Sequence, residues 1–292
     1  MNILLFGGAG QVGWELQRAL APLGRIIAPS RQACDLTDSD AIRRTIADSS
    51  ARVVVNAAAY TGVDQAESQA ELARRVNALA PGVMAQACAR SGAVLVHYST
   101  DYVYDGSGER PWREDDPPCP LNVYGQTKLE GDVAVQQAGI AFLILRTSWV
   151  YAARGRNFPR TILELACRQP TLKVVNDQVG SPTGADLIAD VTAHALRAVL
   201  ADPALGGLYH VAADGFADWH TVARYVLDRG QQCGLPLQAQ PDQVQPIATA
   251  NYRTAARRPL NSRLDTTRLR ETFGLCLPPW QAGIARLIET LA

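Results

Sequence analysis

The first thirteen residues restrict this chain more than any other stretch. Asn2-Ile3-Leu4-Leu5-Phe6 is a short, almost wholly apolar run, the pattern of a central parallel strand covered on both faces. Gly7-Gly8-Ala9-Gly10-Gln11-Val12-Gly13 follows at once, and Val12, Leu16, Ala19 and Leu20 then take up helical spacing. Strand, glycine turn and helix in that order are the context in which glycine spacing becomes informative. Both G-x-G-x-x-G (8, 10, 13) and G-x-x-G-x-x-G (7, 10, 13) can be read. One glycine permits the tight turn, one lets backbone N–H groups approach a pyrophosphate, and one lets helix pack on strand. Gly7, Gly10, Gln11, Val12 and Gly13 are therefore the first expected cofactor contacts. A merely flexible loop is the competing reading, and the flanking strand and helix speak against it.

The same unit then repeats. Residues 25–31 read as a second strand and its end. A site preferring NAD usually places an acid there for the ribose 2′-hydroxyl; this chain has Ser30 and Arg31, which suit a 2′-phosphate and so NADPH, with NADH a tolerated alternative. Cys34-Asp35-Leu36-Thr37 leads to a helix over 38–48 with Thr37 or Asp38 as N-cap, placing Asp35 and Leu36 beside the cofactor. Val53–Asn56 is a third buried strand. It runs into Ala57-Ala58-Ala59-Tyr60-Thr61, small residues over which a cofactor can lie close to the backbone. A helix over 65–91, strands over 94–98 and 141–146 and a helix from Val123 continue the alternation. Units of about 30 residues imply an α/β fold with a doubly wound parallel sheet, the Rossmann arrangement. Ligands in it lie outside the carboxyl ends of the strands, where Gly7–Gly13, Asn56–Thr61 and Ser99–Tyr102 converge.

After residue 150 the alternation loosens. A helix over 158–168, a strand over 171–175, the turn Gly180-Ser181-Pro182-Thr183-Gly184 and a helix over 185–200 precede a proline-rich, irregular third. The expected division is a dinucleotide-binding domain of residues 1–150 plus about 176–203. A smaller α/β substrate domain would take about 151–175 plus 204–292.

Among the 292 residues, 47% are hydrophobic and 19% charged, with 28 basic against 28 acidic. That describes a globular protein with no electrostatic reason to expect nucleic acid or an anionic membrane as partner. The first apolar run stops at Gly7 with no basic segment before it, and no run approaches a membrane span, so a cytoplasmic location is expected. The six cysteines lack C-x-x-C spacing and a Cys/His cluster, and read as reduced thiols.

The chemistry centres on Leu121-Asn122-Val123-Tyr124-Gly125-Gln126-Thr127-Lys128. Residues four apart share a helix face, so Lys128 stands one turn beyond Tyr124. A neighbouring cation favours the phenolate, which is expected to lower the Tyr124 pKa from ~10 toward neutrality. Such a phenol can protonate a carbonyl oxygen as a nicotinamide delivers hydride to its carbon. Thr100, at a strand end facing the same crevice, can donate to that oxygen.

Gly7-x-x-Gly10-x-x-Gly13, Asn56-Ala57-Ala58-Ala59, Ser99-Thr100-Asp101-Tyr102 and Tyr124-x-x-x-Lys128 together resemble the extended short-chain dehydrogenase/reductase superfamily. The likeness to its nucleotide-sugar 4-ketoreductases extends over essentially the full chain, including Pro120–Lys128, Arg146–Tyr151 and Val175–Thr183. It implies NADPH-dependent reduction of the 4-keto group of dTDP-6-deoxy-L-lyxo-4-hexulose to dTDP-L-rhamnose. It implies Thr100, Tyr124 and Lys128 as the catalytic set, Thr61, Val63, Asp101, Tyr102 and Trp149 near the sugar, and a homodimer as a possible assembly. Some relatives hold Mg²⁺ between subunits through acids that align with Glu15 and Asp186. Dehydratases of the superfamily carry Thr-Asp-Glu where this chain has Thr100-Asp101-Tyr102, and a phenol is a poor base for the C5 proton, which favours reduction. Arg257 and Arg258, beside Pro259-Leu260-Asn261-Ser262, could hold the substrate diphosphate through bidentate contacts. The alternatives are a reductase of another nucleotide-4-ketosugar and a non-catalytic cofactor-binding regulatory subunit.

Overall fold

The computed structural model describes residues 1–292. In chain order it forms β1 (Asn2–Phe6), α1 (Gln11–Leu20), β2 (Arg25–Ile27), α2 (Ser39–Ser49) and β3 (Val53–Asn56). Then come α3, which runs from Ala70–Arg74 through a π turn at Arg75–Leu79 into Ala80–Ser91, and β4 (Val94–Thr100), α4 (Val123–Gln136) and β5 (Phe142–Thr147). Beyond β5 lie α5 (Phe158–Ala166), β6 (Leu172–Val175), α6 (Ala185–Ala201), β7 (Gly207–His210), α7 (Trp219–Gln232), β8 (Val244–Ile247), α8 (Thr267–Phe273) and α9 (Trp280–Leu291). Six strands form one parallel sheet in the order β2-β1-β3-β4-β5-β7. The chain reverses direction across the sheet at β1, so the crevice between the ends of β1 and β3 is the topological switch point.

Alternation along each strand divides the core. Ile3, Leu5, Val53, Val55, Val96 and Leu145 face Leu16 and Leu20 of α1 and Ile188, Val191, Leu196 and Val199 of α6. Leu4, Phe6, Val54, Leu95 and Ile144 face Ile42 and Ile46 of α2, Met84 and Cys88 of α3 and Val135 of α4. A third cluster joins α5, β6, α7 and α9 through Ile162, Leu172, Val226, Trp280 and Ile284, and β8 pairs in parallel with β6.

Two expected boundaries moved for identifiable reasons. The helix expected over 65–91 is a short turn at Val63–Ala66, a break, and then α3. Within α3, Pro81 has no N–H to offer the Asn77 carbonyl, and the backbone widens into the π turn just before it. A Cβ at Gly131 of α4 would overlap that Asn77 carbonyl, so the freed group faces the flank of α4. The second strand ends at Ile27, and Ser30 and Arg31 lie in a turn. Asp38, not Thr37, caps α2, accepting from the N–H groups of Asp40 and Ala41.

The glycine turn is sterically closed. A Cβ on Gly13 would overlap the Gly7 carbonyl oxygen, and one on Gly7 (φ 81°) would lie 2.5 Å from the Ala58 nitrogen. Three glycines cost the turn ~0.5–1 kcal/mol each in extra chain entropy. Burial of Ile3, Leu4 and Leu5, all at 0% exposure, returns ~1.5–3 kcal/mol each and outweighs that cost. Gly13→Ala is expected to destabilise the protein by ~1–3 kcal/mol through overpacking. Thermal unfolding with and without NADPH checks it; an unchanged melting temperature and unchanged cofactor shift would contradict the packing argument.

Candidate active site

The carboxyl ends of β1, β3, β4 and β5 open into a cleft of about 1240 Å³. Its floor is the glycine turn, with Gly7, Gly10, Gln11 and Val12 on the surface of the cleft and Gly13 beneath them. Ser30, Arg31, Asp35 and Leu36 form one end, and Ala57, Ala58, Ala59, Thr61 and Val63 one side. Thr100, Asp101, Tyr102, Tyr124, Lys128 and Trp149 stand at the other. The α1 helix begins at Gly10 with no side-chain cap and no acid in its first turn. Its leading N–H groups and its dipole are therefore available to an anion. Together with the close backbone approach at Gly7, this cradle fits a dinucleotide pyrophosphate. Arg31 is exposed at the cleft rim, where a 2′-phosphate would meet its charge.

Each wall is held by packing specific to this sequence. Asn122 caps α4 by accepting from the Gly125 N–H at 2.8 Å, and a Cβ on Gly125 would overlap the Tyr102 carbonyl. The helix therefore meets the end of β4, bringing Tyr124 beside Tyr102 with ring centroids 5.6 Å apart, edge to face. Asn77 fastens the opposite wall. Its Oδ1 accepts from the Tyr60 N–H at 2.8 Å, and its Nδ2 donates to the Tyr60 carbonyl and to Thr127 Oγ1. Asn77 was unassigned by sequence reasoning, because its partners lie 17 and 50 residues away.

The electrostatics correct one expectation. The Tyr124 pKa is raised, because burial outweighs the help its phenolate would receive from the Thr100 hydroxyl. Lys128 does not bring it down: its ammonium donates to the Tyr98 carbonyl, and burial lowers its own pKa to about 8. Tyr102 is raised by burial as well, although Arg258 donates to its phenol at 3.2 Å. The Asp101 carboxyl, 2% exposed, is pushed up to about 7 by burial, with smaller opposing effects from the Ser262 and Thr100 hydroxyls.

Not every expected ligand reaches the cleft. Arg258 comes nearest, bridging Tyr102 and Asp64 (2.7 Å). Arg257 is exposed and only its carbonyl is engaged, by Asn122. Glu15 is paired with Arg18 at 3.4 Å and Asp186 with Arg286 at 3.5 Å. The chain has no group of three or more His, Cys, Asp or Glu side chains that could hold a metal, so these two acids do not fit a metal site within one chain. The Ser181–Pro182 peptide is trans.

The cleft also has members beyond those expected from the sequence, Trp219, Arg154 and Arg156, and they gather around the expected Trp149. Trp149, in the left-handed region at φ 51°, stacks on Trp219 with centroids 3.5 Å apart. Gly180 leaves room for the indole, since a Cβ there would lie 2.8 Å from its ring. Arg154 and Arg156 line the cleft on a segment tied to the glycine turn by Asn157, whose Nδ2 donates to Gln11 Oε1 at 3.0 Å. No local pattern marks Trp219, Arg154 or Arg156; only the tertiary fold brings them into the cleft.

The sheet, the glycine cradle and the Thr100–Tyr124–Lys128 wall define a short-chain dehydrogenase/reductase of the extended type. The family model described as RmlD substrate binding domain matches residues 1–292, and the chain belongs to that family. It is 48% identical over 295 residues to a dTDP-4-dehydrorhamnose reductase of Escherichia coli K12, covering 100% of this chain and 98% of the relative. It is 45% identical over 297 residues to the corresponding reductase of Burkholderia thailandensis, covering 100% and 99%. Among solved structures it resembles a dTDP-4-dehydrorhamnose reductase of Clostridium acetobutylicum (33% identity, TM-score 0.90, 100% and 99% covered). It also resembles that of Bacillus anthracis in complex with NADP (30% identity, TM-score 0.88, 98% of each chain).

The Asp101 carboxyl has a testable consequence. Its folded pKa of about 7 lies above the ~3.9 of an unfolded chain, so the folded state binds the proton more tightly. Its contribution to stability is complete below about pH 4 and is lost as pH rises through about 7. Asp101→Asn is neutral at every pH, so its melting temperature should fall less than the wild type's between about pH 5 and pH 8. Parallel curves for the two proteins would show that Asp101 is already ionised in the fold.

Proposed function

We propose that this chain catalyses the NADPH-dependent reduction of the 4-keto group of dTDP-6-deoxy-L-lyxo-4-hexulose, giving dTDP-L-rhamnose. One observation carries the reading. Thr100, Tyr124 and Lys128 share the wall of the cleft floored by the glycine turn, in a chain similar from end to end to curated reductases of that substrate.

Bound over the glycine turn, NADPH supplies the hydride. The remaining work falls to side chains of this protein. Thr100, 5% exposed at the end of β4, holds the ketone oxygen with its hydroxyl. Tyr124 gives that oxygen a proton as the carbon is reduced. A raised pKa suits this direction of reaction, because the phenol stays protonated throughout the neutral range. Lys128, with a pKa of about 8, is largely charged at neutral pH and would hold the nicotinamide ribose with the N–H groups its bond to the Tyr98 carbonyl leaves free. Tyr102 stands where β-elimination would need a carboxylate, and burial keeps its phenol protonated. Reduction therefore proceeds where dehydration lacks its base.

Trp149 and Tyr102 flank the space left for the sugar, and Arg258, fixed by Asp64, faces the substrate end through Tyr102. The third hydrophobic cluster supports a substrate unit built from about 151–175 with most of 204–292, while the cofactor unit of residues 1–150 with about 176–203 also takes in β7 and packs against Leu269 and Leu277. The reading carries a cytoplasmic enzyme and a homodimer; no helix is long and apolar enough to cross a membrane. Glu15 and Asp186 enter no step.

The test supplies NADPH with a panel of 4-ketohexose nucleotides and follows the loss of reduced-nicotinamide absorbance. Preferential turnover of another nucleotide or sugar epimer would move the assignment to a different ketosugar. Tyr124→Phe should lower kcat by ~10²–10⁴-fold, the scale of one general acid, with cofactor binding retained. Near-normal turnover by that variant would remove the phenol from the mechanism.

A further inference from the structure

Behind Lys128, on the side away from the cleft, lies a group of polar side chains with almost no contact with water. Asn56 is 1% exposed, His97 and Asp132 0%, and Arg146 3%. Asn56 and His97 are register partners on β3 and β4. Their orientation can be read from one end of the chain of contacts. The Ala58 N–H donates to Asn56 Oδ1 at 3.3 Å, which turns the carboxamide nitrogen toward His97 Nδ1 at 3.1 Å. An amide nitrogen only donates, so His97 Nδ1 is the bare nitrogen and the ring proton sits on Nε2. Burial, aided by the charge of Lys128, keeps this imidazole neutral.

His97 Nε2 faces two groups, Lys128 Nζ at 3.5 Å and Asp132 Oδ1 at 3.7 Å. An N–H cannot donate to an ammonium, so it is directed at the carboxylate. Asp132 Oδ1 has no hydrogen bond of its own, whereas Oδ2 accepts from Ser99 Oγ at 2.8 Å and Arg146 Nε at 3.1 Å. The other ionisable neighbours are turned elsewhere. Tyr98 bonds Thr192, and Tyr124 faces Thr100 in the cleft.

We infer that His97 is a positioning residue for Lys128. Its neutral ring stands between the ammonium and the Asp132 carboxylate and keeps the two from collapsing into a direct ion pair. Opposite charges attract strongly where water is excluded, and in direct contact the lysine would be drawn off the cleft wall and its pKa raised. With the ring in place, the ammonium remains on the cleft wall, with the pKa of about 8 set mainly by burial. Asn56 ties the spacer to the Ala58 backbone on the cofactor side of the cleft, so the placement of the lysine is linked to that loop. The inference rests on the roles given above to Tyr124 and Lys128.

Three variants and a pH series test it, with NADPH and the 4-ketosugar nucleotide as substrates and kcat measured from about pH 6 to about pH 10. Wild-type kcat should fall through about pH 8 as Lys128 loses its proton. His97→Leu keeps much of the bulk but removes both nitrogens. It should lower kcat by ~10–100-fold, the cost of a misplaced catalytic group, and move the alkaline limb up by about one pH unit. His97→Gln places an amide nitrogen near the position of Nε2 and should restore kcat to within about threefold of wild type, with the limb unmoved. If His97→Leu fails to fold, His97→Asn, which keeps the contact to Asn56 but leaves the gap beside Asp132, should show the same loss and the same shift. A leucine or asparagine variant with the wild-type limb would overturn the inference, as would a glutamine variant that loses as much kcat as they do. Lys128→Met separates this result from the reading beneath it. Full activity of that variant would overturn both, whereas its loss beside wild-type behaviour of the His97 variants would overturn this inference alone.

Discussion

Backbone meeting backbone at the carboxyl end of the sheet is the contact on which the remaining structure depends. Gly13 packs on the Gly7 carbonyl, and Gly7 on the Ala57–Ala58 peptide, so β1, α1 and the loop after β3 meet with no side chain between them. That closeness leaves the α1 N-terminus uncapped and facing the cleft. Gly125 on the Tyr102 carbonyl and Gly131 on the Asn77 carbonyl repeat the device, and they bring the Tyr124 helix against the same edge. A methyl group at any of these points would push apart the surfaces that form the site.

The second constraint is dehydration of the wall opposite the glycine turn. Burial raises Tyr124 and Asp101 and lowers Lys128, as expected when the charged form of each loses its water. These shifts act together. The phenol keeps its proton, the lysine remains a cation at neutral pH but not far above it, and Asp101, which accepts from the Thr100 hydroxyl, is only partly ionised there. The buried Asp132–Arg146 pair lies one layer deeper, where Ser99 and Arg146 satisfy one carboxylate oxygen and His97 faces the other. The polarity of the active wall is thus arranged in layers, with the fixed charges held behind the reacting groups.

Much of this was legible in the sequence because the signals are local. The apolar run of β1, the spacing of Gly7, Gly10 and Gly13 and the four-residue step from Tyr124 to Lys128 each depend on neighbours within one turn or one strand. They determined the doubly wound sheet, the glycine turn at its carboxyl edge and the placing of Tyr124 and Lys128 on one wall of the cleft. What the tertiary structure alone decided involves residues far apart in the chain. Trp219 on Trp149, Arg154 beside the glycine turn, Asn77 on Tyr60 and Thr127, and His97 between Lys128 and Asp132 leave no periodic trace. Arg257 faces solvent while Arg258 reaches Tyr102, a distinction that only the path of the loop could make. The direction of the Tyr124 shift belongs to the same class. A helical neighbour is visible in the sequence, but the water that the fold strips from the phenol is not, and at this site the loss of water outweighs the neighbour.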